Sequence, residues 1–132
     1  TKLNDRFEWF LEKATEIGIT EITPIICDHS ERKVIKKERY DRIIQSAMKQ
    51  SLKAYLPQLN EAISFENFIE KSKSFSSQKY IAHCEETQRF SLKNALHSSK
   101  DNNFKPVILG ESRLRTETAA IVACHTTALH FE

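Results

Sequence analysis

The polar residues best placed to do chemistry lie near the end of the chain, at positions 107–119. The segment VILGESRLRTETA reads as a strand, a glycine turn, a polar loop and the start of a helix. In open α/β sheets ligands bind beyond the carboxyl ends of strands, and free N–H groups of a helix's first turn hold polar ligand atoms. Gly110 would allow close backbone approach, and Arg115 and Glu117 would offer a cation and a carboxylate. The alternative is that Arg115 and Glu117 form a surface pair on a capped, buried helix.

A second candidate surface is basic and lies in one third of the chain. Its lysines and arginines are Arg32, Lys33, Lys36, Lys37, Arg39, Arg42, Lys49 and Lys53. Four of them, from Arg39 to Lys53, share one face if the region is helical. Such residues contact nucleic-acid phosphates, although a solvated helix face has the same composition. The net charge of +2 is too small to decide between nucleic-acid binding and a solvated helix face.

Cysteine spacing gives little support to a zinc site or a redox dithiol. The three cysteines, Cys27, Cys84 and Cys124, are far apart, and no pair has CxxC spacing. Each lies in an apolar stretch, so we expect reduced, mostly buried thiols in a reducing cytosol. No histidine has metal-ligand spacing. There is no P-loop or GxGxxG motif, which argues against a general nucleotide-binding α/β domain.

Composition is typical of one folded domain. The chain has 132 residues, of which 39% are hydrophobic and 29% charged. We expect no membrane span, because the longest strongly apolar stretch covers only residues 119–124. No signal peptide opens the sequence. The two glycines are few, since average usage of about 7% would give roughly nine.

Hydrophobic periodicity predicts the elements that must position these residues. The predicted helices cover residues 5–17, 38–55, 65–69, 91–96 and 116–130. The predicted strands cover residues 20–26, 79–84 and 106–109. The final helix is apolar on every side at residues 119–124, which predicts burial all round. The alternation predicts an α/β domain of parallel strands with helices on both faces.

Three segments, in this order along the chain, resemble one family. The stretch from Leu109 resembles LGxRxLRxETA, the C-terminal motif of the RsmE family of SPOUT-class RNA methyltransferases. That match holds at Leu109, Gly110, Leu114, Arg115, Glu117, Thr118 and Ala119, whereas Ser112 stands at the motif's first arginine and Arg113 follows it. DRFEW with LEKATEIG at positions 5–18 resembles the family's helix before its first strand, and AMKQS at 47–51 with the following Leu-Pro is a third match.

The resemblance implies a fold and an activity. The fold would be a SPOUT-type parallel sheet with helices on both faces and a C-terminal trefoil knot, in a cytoplasmic homodimer with no metal and no membrane contact. The activity would be S-adenosylmethionine (SAM)-dependent methylation of N3 of a uridine in 16S ribosomal RNA, acting on free RNA or the small ribosomal subunit. Because uridine N3–H is weakly acidic, we expect Arg115 to stabilise negative charge developing on a uracil oxygen. Glu117 would position the uracil base or orient the Arg115 side chain.

The resemblance also implies which residues bind the cofactor and the RNA. The cofactor-binding residues would be Leu109, Gly110, Glu111, Ser112, Leu114, Arg115 and Thr118. The RNA-binding residues would be Arg32, Lys33, Lys36, Lys37, Lys49 and Lys53. At Lys53 the family has an arginine, and Asp28-His29 stands where Glu-Arg is usual. A lysine contacts phosphate but lacks the bidentate fork of arginine.

Two family features are missing from the sequence. The family has a glycine-rich GPEGG loop before its last strand, and we expect its segment to be absent between about positions 96 and 103. The family also has an N-terminal PUA-like barrel, so residues 1–132 would be the methyltransferase domain alone. The alternative function is therefore a non-catalytic knotted module that binds RNA or dimerises.

Overall fold

The chain forms two compact units, and each is described by itself. The computed structural model describes residues 4–28, 30, 34–82, 90–98, 103–110 and 112–131. The first unit is Thr1–Ser74 and the second is Phe75–Glu132. None of the described helices combines the length and apolar character that crossing a bilayer requires.

The first unit alternates helices with very short parallel strands. Its helices are α1 (Asn4–Ile17), α2 (Lys37–Gln50) and α3 (Phe65–Ser72). Its strands are β1 (Glu21–Ile22), β2 (Ile25–Ile26), β3 (Gln58–Leu59) and β4 (Ile63–Ser64). β1 pairs with β3 and β2 with β4, both in parallel. The predicted strand 20–26 is thus two pieces separated at Thr23 and Pro24, because proline donates no ladder hydrogen bond.

The core of the first unit lies between α1 and α2. Leu11 and Ala14 of α1 are fully buried and lie on one face of the helix. On α2 the buried residues are Tyr40, Ile44 and Ala47, which recur at helical spacing. The Phe7 and Tyr40 rings meet edge to face with centroids 5.1 Å apart. An ion pair between Arg39 Nε and Glu8 Oε1, 2.8 Å long, joins the two helices at the surface.

The end of α2 differs from the prediction. The helix ends at Gln50, five residues before the predicted end at position 55. The Ser51 N–H and hydroxyl both donate to the Ala47 carbonyl oxygen, at 2.9 and 2.7 Å. The next residue, Leu52, has a left-handed backbone with φ of 55°. This early turn lets the chain return so that the Gln58 N–H donates to the Thr20 carbonyl oxygen at 3.0 Å.

Leu52→Gly is expected to stabilise the protein. A left-handed L-residue costs roughly 1–2 kcal/mol, whereas glycine adopts that region freely. Leu52 is 91% exposed, so its truncation loses almost no burial. After the entropy cost of glycine, we expect the free energy of unfolding to rise by about 0.5 kcal/mol. Urea denaturation of both proteins checks this, and a lower midpoint for the variant would contradict it.

The second unit is a three-stranded parallel sheet with two helices. The strands are β5 (Lys79–Ala82), β6 (Phe90–Ser91) and β7 (Phe104–Ile108), and β7 lies between the other two. The helices are α4 (Leu92–Ser98) and α5 (Thr116–Phe131). Leu92, Ala95 and Leu96 pack with Val107 to form the core. The Tyr80 hydroxyl donates to the Ala95 carbonyl oxygen at 3.0 Å, which fixes α4 against the sheet.

The exposure of α5 contradicts the predicted burial all round. None of its described residues is buried, and those at positions 117–124 are half-exposed. Within the second unit α5 packs on α4, which covers only part of its circumference. The apolar residues at positions 119–124 are therefore only partly covered. The α/β class with parallel strands is confirmed.

Candidate functional site

The predicted catalytic segment lies where β7 ends and α5 begins. Leu109 directly follows the strand, and Gly110 is exposed. A Cβ built on Gly110 would meet no atom within 4 Å, so space for a ligand lies beside the backbone there. Helix α5 starts at Thr116, and its first turn contains Glu117. A strand end and a helix N-terminus therefore flank one short loop, as the sequence predicted.

The remaining residues of this segment differ in exposure. Arg115 and Ser112 are exposed, whereas Leu114, Glu117 and Thr118 are half-buried. The Arg115 carbonyl oxygen accepts a 2.8 Å hydrogen bond from the Ala119 N–H, which joins the loop to the first turn of α5. An exposed guanidinium on an anchored backbone can reach a substrate without having to leave a buried ion pair. The predicted Glu111 lies outside the described residues.

A pocket of about 460 Å³ lies in the second unit beside the end of β7. Its lining residues are Ser91, Leu92, Lys93, Leu96, His97, Ile108, Leu109, Thr126, Leu129 and His130. Among the predicted cofactor residues that the structure describes, Leu109 alone belongs to this lining. Sequence reasoning missed the others, because the pocket exists only where β6, β7, α4 and α5 come together. The only available signal was the helical spacing of Leu92 and Leu96.

The pocket has aliphatic walls and a few polar groups. Leucine and isoleucine side chains from α4, β7 and α5 supply the apolar surface. Hydroxyls of Ser91 and Thr126, the Lys93 amine and two imidazoles supply hydrogen-bonding groups. The His97 and His130 rings meet edge to face with centroids 4.5 Å apart. The volume and the mixed lining suit a small molecule that has both apolar and polar parts.

The predicted RNA-binding lysines form two groups at opposite ends of α2. Lys36 and Lys37 flank its start, and Lys37 Nζ forms a 3.0 Å ion pair with Asp41. Lys49 is exposed in the last turn, and Lys53 follows the helix. The prediction of one continuous helical face through Lys53 is wrong, because α2 ends first. The two groups are separated by the length of α2, about 20 Å.

One arginine of this region is already engaged in an ion pair and is less able to contact RNA phosphates. Arg39, on the predicted basic face, is paired with Glu8 of α1. Arg42 is exposed on α2. Arg32 and Lys33 lie outside the described residues. Lys36, Arg42 and Lys49 are thus the exposed basic side chains of this region for which no ion pair is described.

Two of the three cysteines are described, and they differ. Cys27 is exposed, so the expectation of buried thiols is wrong there. Cys124 on α5 is half-buried, and this burial raises the pKa of its thiol. Cys84 lies outside the described residues. Among the described side chains, no three histidine, cysteine or acidic groups come together as they would around a metal ion.

Comparisons with known proteins agree with one another. The family model described as RNA methyltransferase domain matches residues 2–102. A crystal structure of a probable rRNA-methyltransferase from Porphyromonas gingivalis is 36% identical, with a TM-score of 0.80 over 100% of this chain and 66% of that one. A ribosomal RNA small subunit methyltransferase E from Neisseria gonorrhoeae, bound to S-adenosyl methionine, has the same fold. Its identity is 23% and its TM-score 0.79, over 98% of this chain and 63% of that one.

Curated relatives carry the same name and are longer. The Aquifex aeolicus ribosomal RNA small subunit methyltransferase E is 31% identical over 84% of this chain and 57% of its own length. The Mesomycoplasma hyopneumoniae protein of that name is 25% identical over 87% of this chain and 60% of its own length. The chain thus spans less than two thirds of these relatives.

The alignments also show that some residues of the relatives have no counterpart here. The match with the Mesomycoplasma hyopneumoniae protein extends over 138 positions although it uses 87% of the chain. The match with the Buchnera aphidicola protein extends over 145 positions and uses 91% of the chain. Since the whole chain has only 132 residues, both alignments contain positions that this chain does not fill.

Proposed function

Because this chain belongs to the RNA methyltransferase domain family, we propose that it performs SAM-dependent methylation of N3 of a uridine in 16S ribosomal RNA. Curated relatives named ribosomal RNA small subunit methyltransferase E support the substrate class. The observation that carries the proposal is the placement of the LGxRxLRxETA segment between the end of β7 and the first turn of α5. The segment carries arginines and glutamates, among them Arg115 and Glu117, within seven residues of a glycine that has open space beside it.

The cofactor would be held by the loop and the pocket beside it. The aliphatic pocket walls fit the adenine ring of SAM, and the open space at Gly110 allows backbone groups to approach the ligand. The predicted binding residues are Leu109, Gly110, Glu111, Ser112, Leu114, Arg115 and Thr118. When bound, SAM supplies a methyl group on a positively charged sulfur.

Arg115 and Glu117 would act on the uracil. N3 must lose its proton as it accepts the methyl group, and negative charge spreads onto the neighbouring oxygens. The exposed Arg115 guanidinium would donate to one of those oxygens and stabilise the charge where it develops. Glu117, two residues further along at the start of α5, would position the base or organise Arg115.

RNA would contact both ends of α2. Lys36 and Lys37 at its start, with Arg32 and Lys33 before them, would bind phosphates at one point. Lys49 and Lys53 would bind phosphates at a second point. Two separate contacts fix the register of an RNA chain better than one cluster of the same charge.

A homodimer and a trefoil knot complete the proposal. The apolar helix α5, none of whose described residues is buried, supports an assembly in which a second copy covers it. The knot is implied by the family resemblance of the C-terminal segment. Cytoplasmic location is proposed because the RNA substrate is made there.

A non-catalytic module that binds RNA or dimerises is the second candidate. It is favoured by the sequence itself, which has only two glycines and no GPEGG-type loop between positions 85 and 105. Such a protein would keep the lysines of α2 and the surface of α5 but would bind no cofactor.

Calorimetric titration with SAM separates the two candidates. Saturable binding of one SAM per chain or per dimer is expected, and methyl transfer to 16S ribosomal RNA is then assayed with the same protein. Absence of binding by a folded, dimeric protein would exclude the enzyme and leave the non-catalytic module.

A further inference from the structure

The loop that follows α2 places apolar side chains in solvent. We name residues 52–56 the leucine loop. Leu52 is 91% exposed, and Tyr55 and Leu56 are each 49% exposed. Leu52 also has the left-handed backbone, with φ of 55°, although it is not a glycine. The loop therefore carries both conformational strain and exposed apolar area, and no burial of Leu52 offsets either cost.

The loop is held in this conformation by contacts on both sides. The Tyr55 hydroxyl donates to the Gly18 carbonyl oxygen at 2.9 Å. The Lys53 N–H donates to the Met48 carbonyl oxygen at 3.1 Å, and Pro57 after the loop is buried. Strained residues persist where the surrounding structure fixes them, and they cluster at binding sites. Leu52 is thus presented to solvent on a rigid support.

Two lysines lie near the exposed leucine along the chain, and the ammonium group of one of them, Lys53, lies beside Gly18. Lys49 is exposed in the last turn of α2, three residues before Leu52, and Lys53 follows it directly. A partner for this surface needs regularly spaced negative charge and flat apolar groups between the charges. Single-stranded RNA has both, since phosphates alternate with unstacked bases. A purely apolar protein surface would gain nothing from the two lysines.

We propose that the leucine loop contacts RNA directly, with Leu52 packed on the face of an unstacked base. Lys49 and Lys53 bind the phosphates on either side of that base. The proposal deepens the proposed function and rests on it, because the RNA is the methylation substrate. It assigns to Leu52 a role in affinity for bases that is separate from the electrostatic role of the lysines.

The test measures RNA affinity and stability in the same variants of the full chain. The probe is a fluorescently labelled single-stranded RNA of about 12 nucleotides, followed by anisotropy. Leu52→Gly is expected to bind about fivefold more weakly and yet to melt at a higher temperature, because the strain is relieved. Lys49→Ala and Lys53→Ala should each reduce the slope of log K against log salt by about 0.7, whereas Leu52→Gly leaves that slope unchanged.

Two control variants keep the test specific. Leu52→Met retains an apolar side chain and should retain RNA affinity. Phe75→Ala removes another exposed apolar side chain, 50% exposed and in the second unit, and should leave RNA affinity unchanged. Equal RNA affinity of Leu52→Gly and the unchanged protein would overturn the inference. SAM titration of the same variants tests the proposed function separately. The RNA contact of Leu52 and the proposed methyltransferase function can therefore fail independently.

Discussion

Arg115→Ala is expected to lose methyl transfer and to keep SAM affinity within about threefold of the unchanged protein. Removing one donor aimed at developing negative charge typically costs about 10²–10³ in rate. Arg115 is exposed, so its truncation leaves no buried charge without a partner. Single-turnover transfer of a labelled methyl group to 16S ribosomal RNA, with parallel SAM titration, measures both quantities.

Control variants separate catalysis from structure at Arg115. Arg115→Lys should recover only part of the rate, because lysine retains the charge but not the planar fork. His125→Ala changes an exposed residue of the same helix and should leave the rate unchanged. Wild-type turnover by Arg115→Ala would exclude the catalytic role. Joint loss of SAM affinity and thermal stability would assign Arg115 to holding the loop instead.

Inserting a glycine-rich segment of the kind that the family resemblance implies is expected to raise SAM affinity at least about tenfold. The change inserts a segment that contains the family's GPEGG motif between positions 98 and 103. A glycine-rich loop lets backbone N–H groups approach a ligand closely, and the present sequence has only two glycines. Calorimetry on the two proteins gives the affinities. A flexible Gly/Ser insert of equal length is the control, and an equal gain from that insert would contradict the prediction.

The helices were predictable wherever an apolar stripe faces a neighbour. The helix predicted at positions 5–17 is observed at Asn4–Ile17, and its residues Leu11 and Ala14 are fully buried. The end of α2 was not predictable, because it depends on the left-handed backbone of Leu52. That conformation is sterically unfavourable for residues other than glycine. The strands Gln58–Leu59 and Ile63–Ser64 have two residues each, too few to show an alternating pattern.

The candidate site was predictable as a segment but not as a cavity. The strand, glycine, loop and helix from position 107 occur in the predicted order, since each boundary has a local signal. The pocket depends on α4 and α5 lying side by side, which no local signal encodes. The apolar character of α5 predicted burial all round, which is wrong for its described residues, because composition does not show which surfaces pack against a helix.

The parallel pairing of the described strands has a consequence for folding kinetics. Glu21 pairs with Gln58, Ile25 with Ile63 and Lys79 with Phe104, so each ladder closes a long loop before its first hydrogen bonds form. Loop-closure entropy must be overcome before such contacts become favourable, which slows folding relative to helical bundles of equal length. Docking of α1 on α2 brings β1 and β3 near each other. This docking is therefore the expected nucleus of the first unit, and truncating Leu11 should slow refolding more than it speeds unfolding.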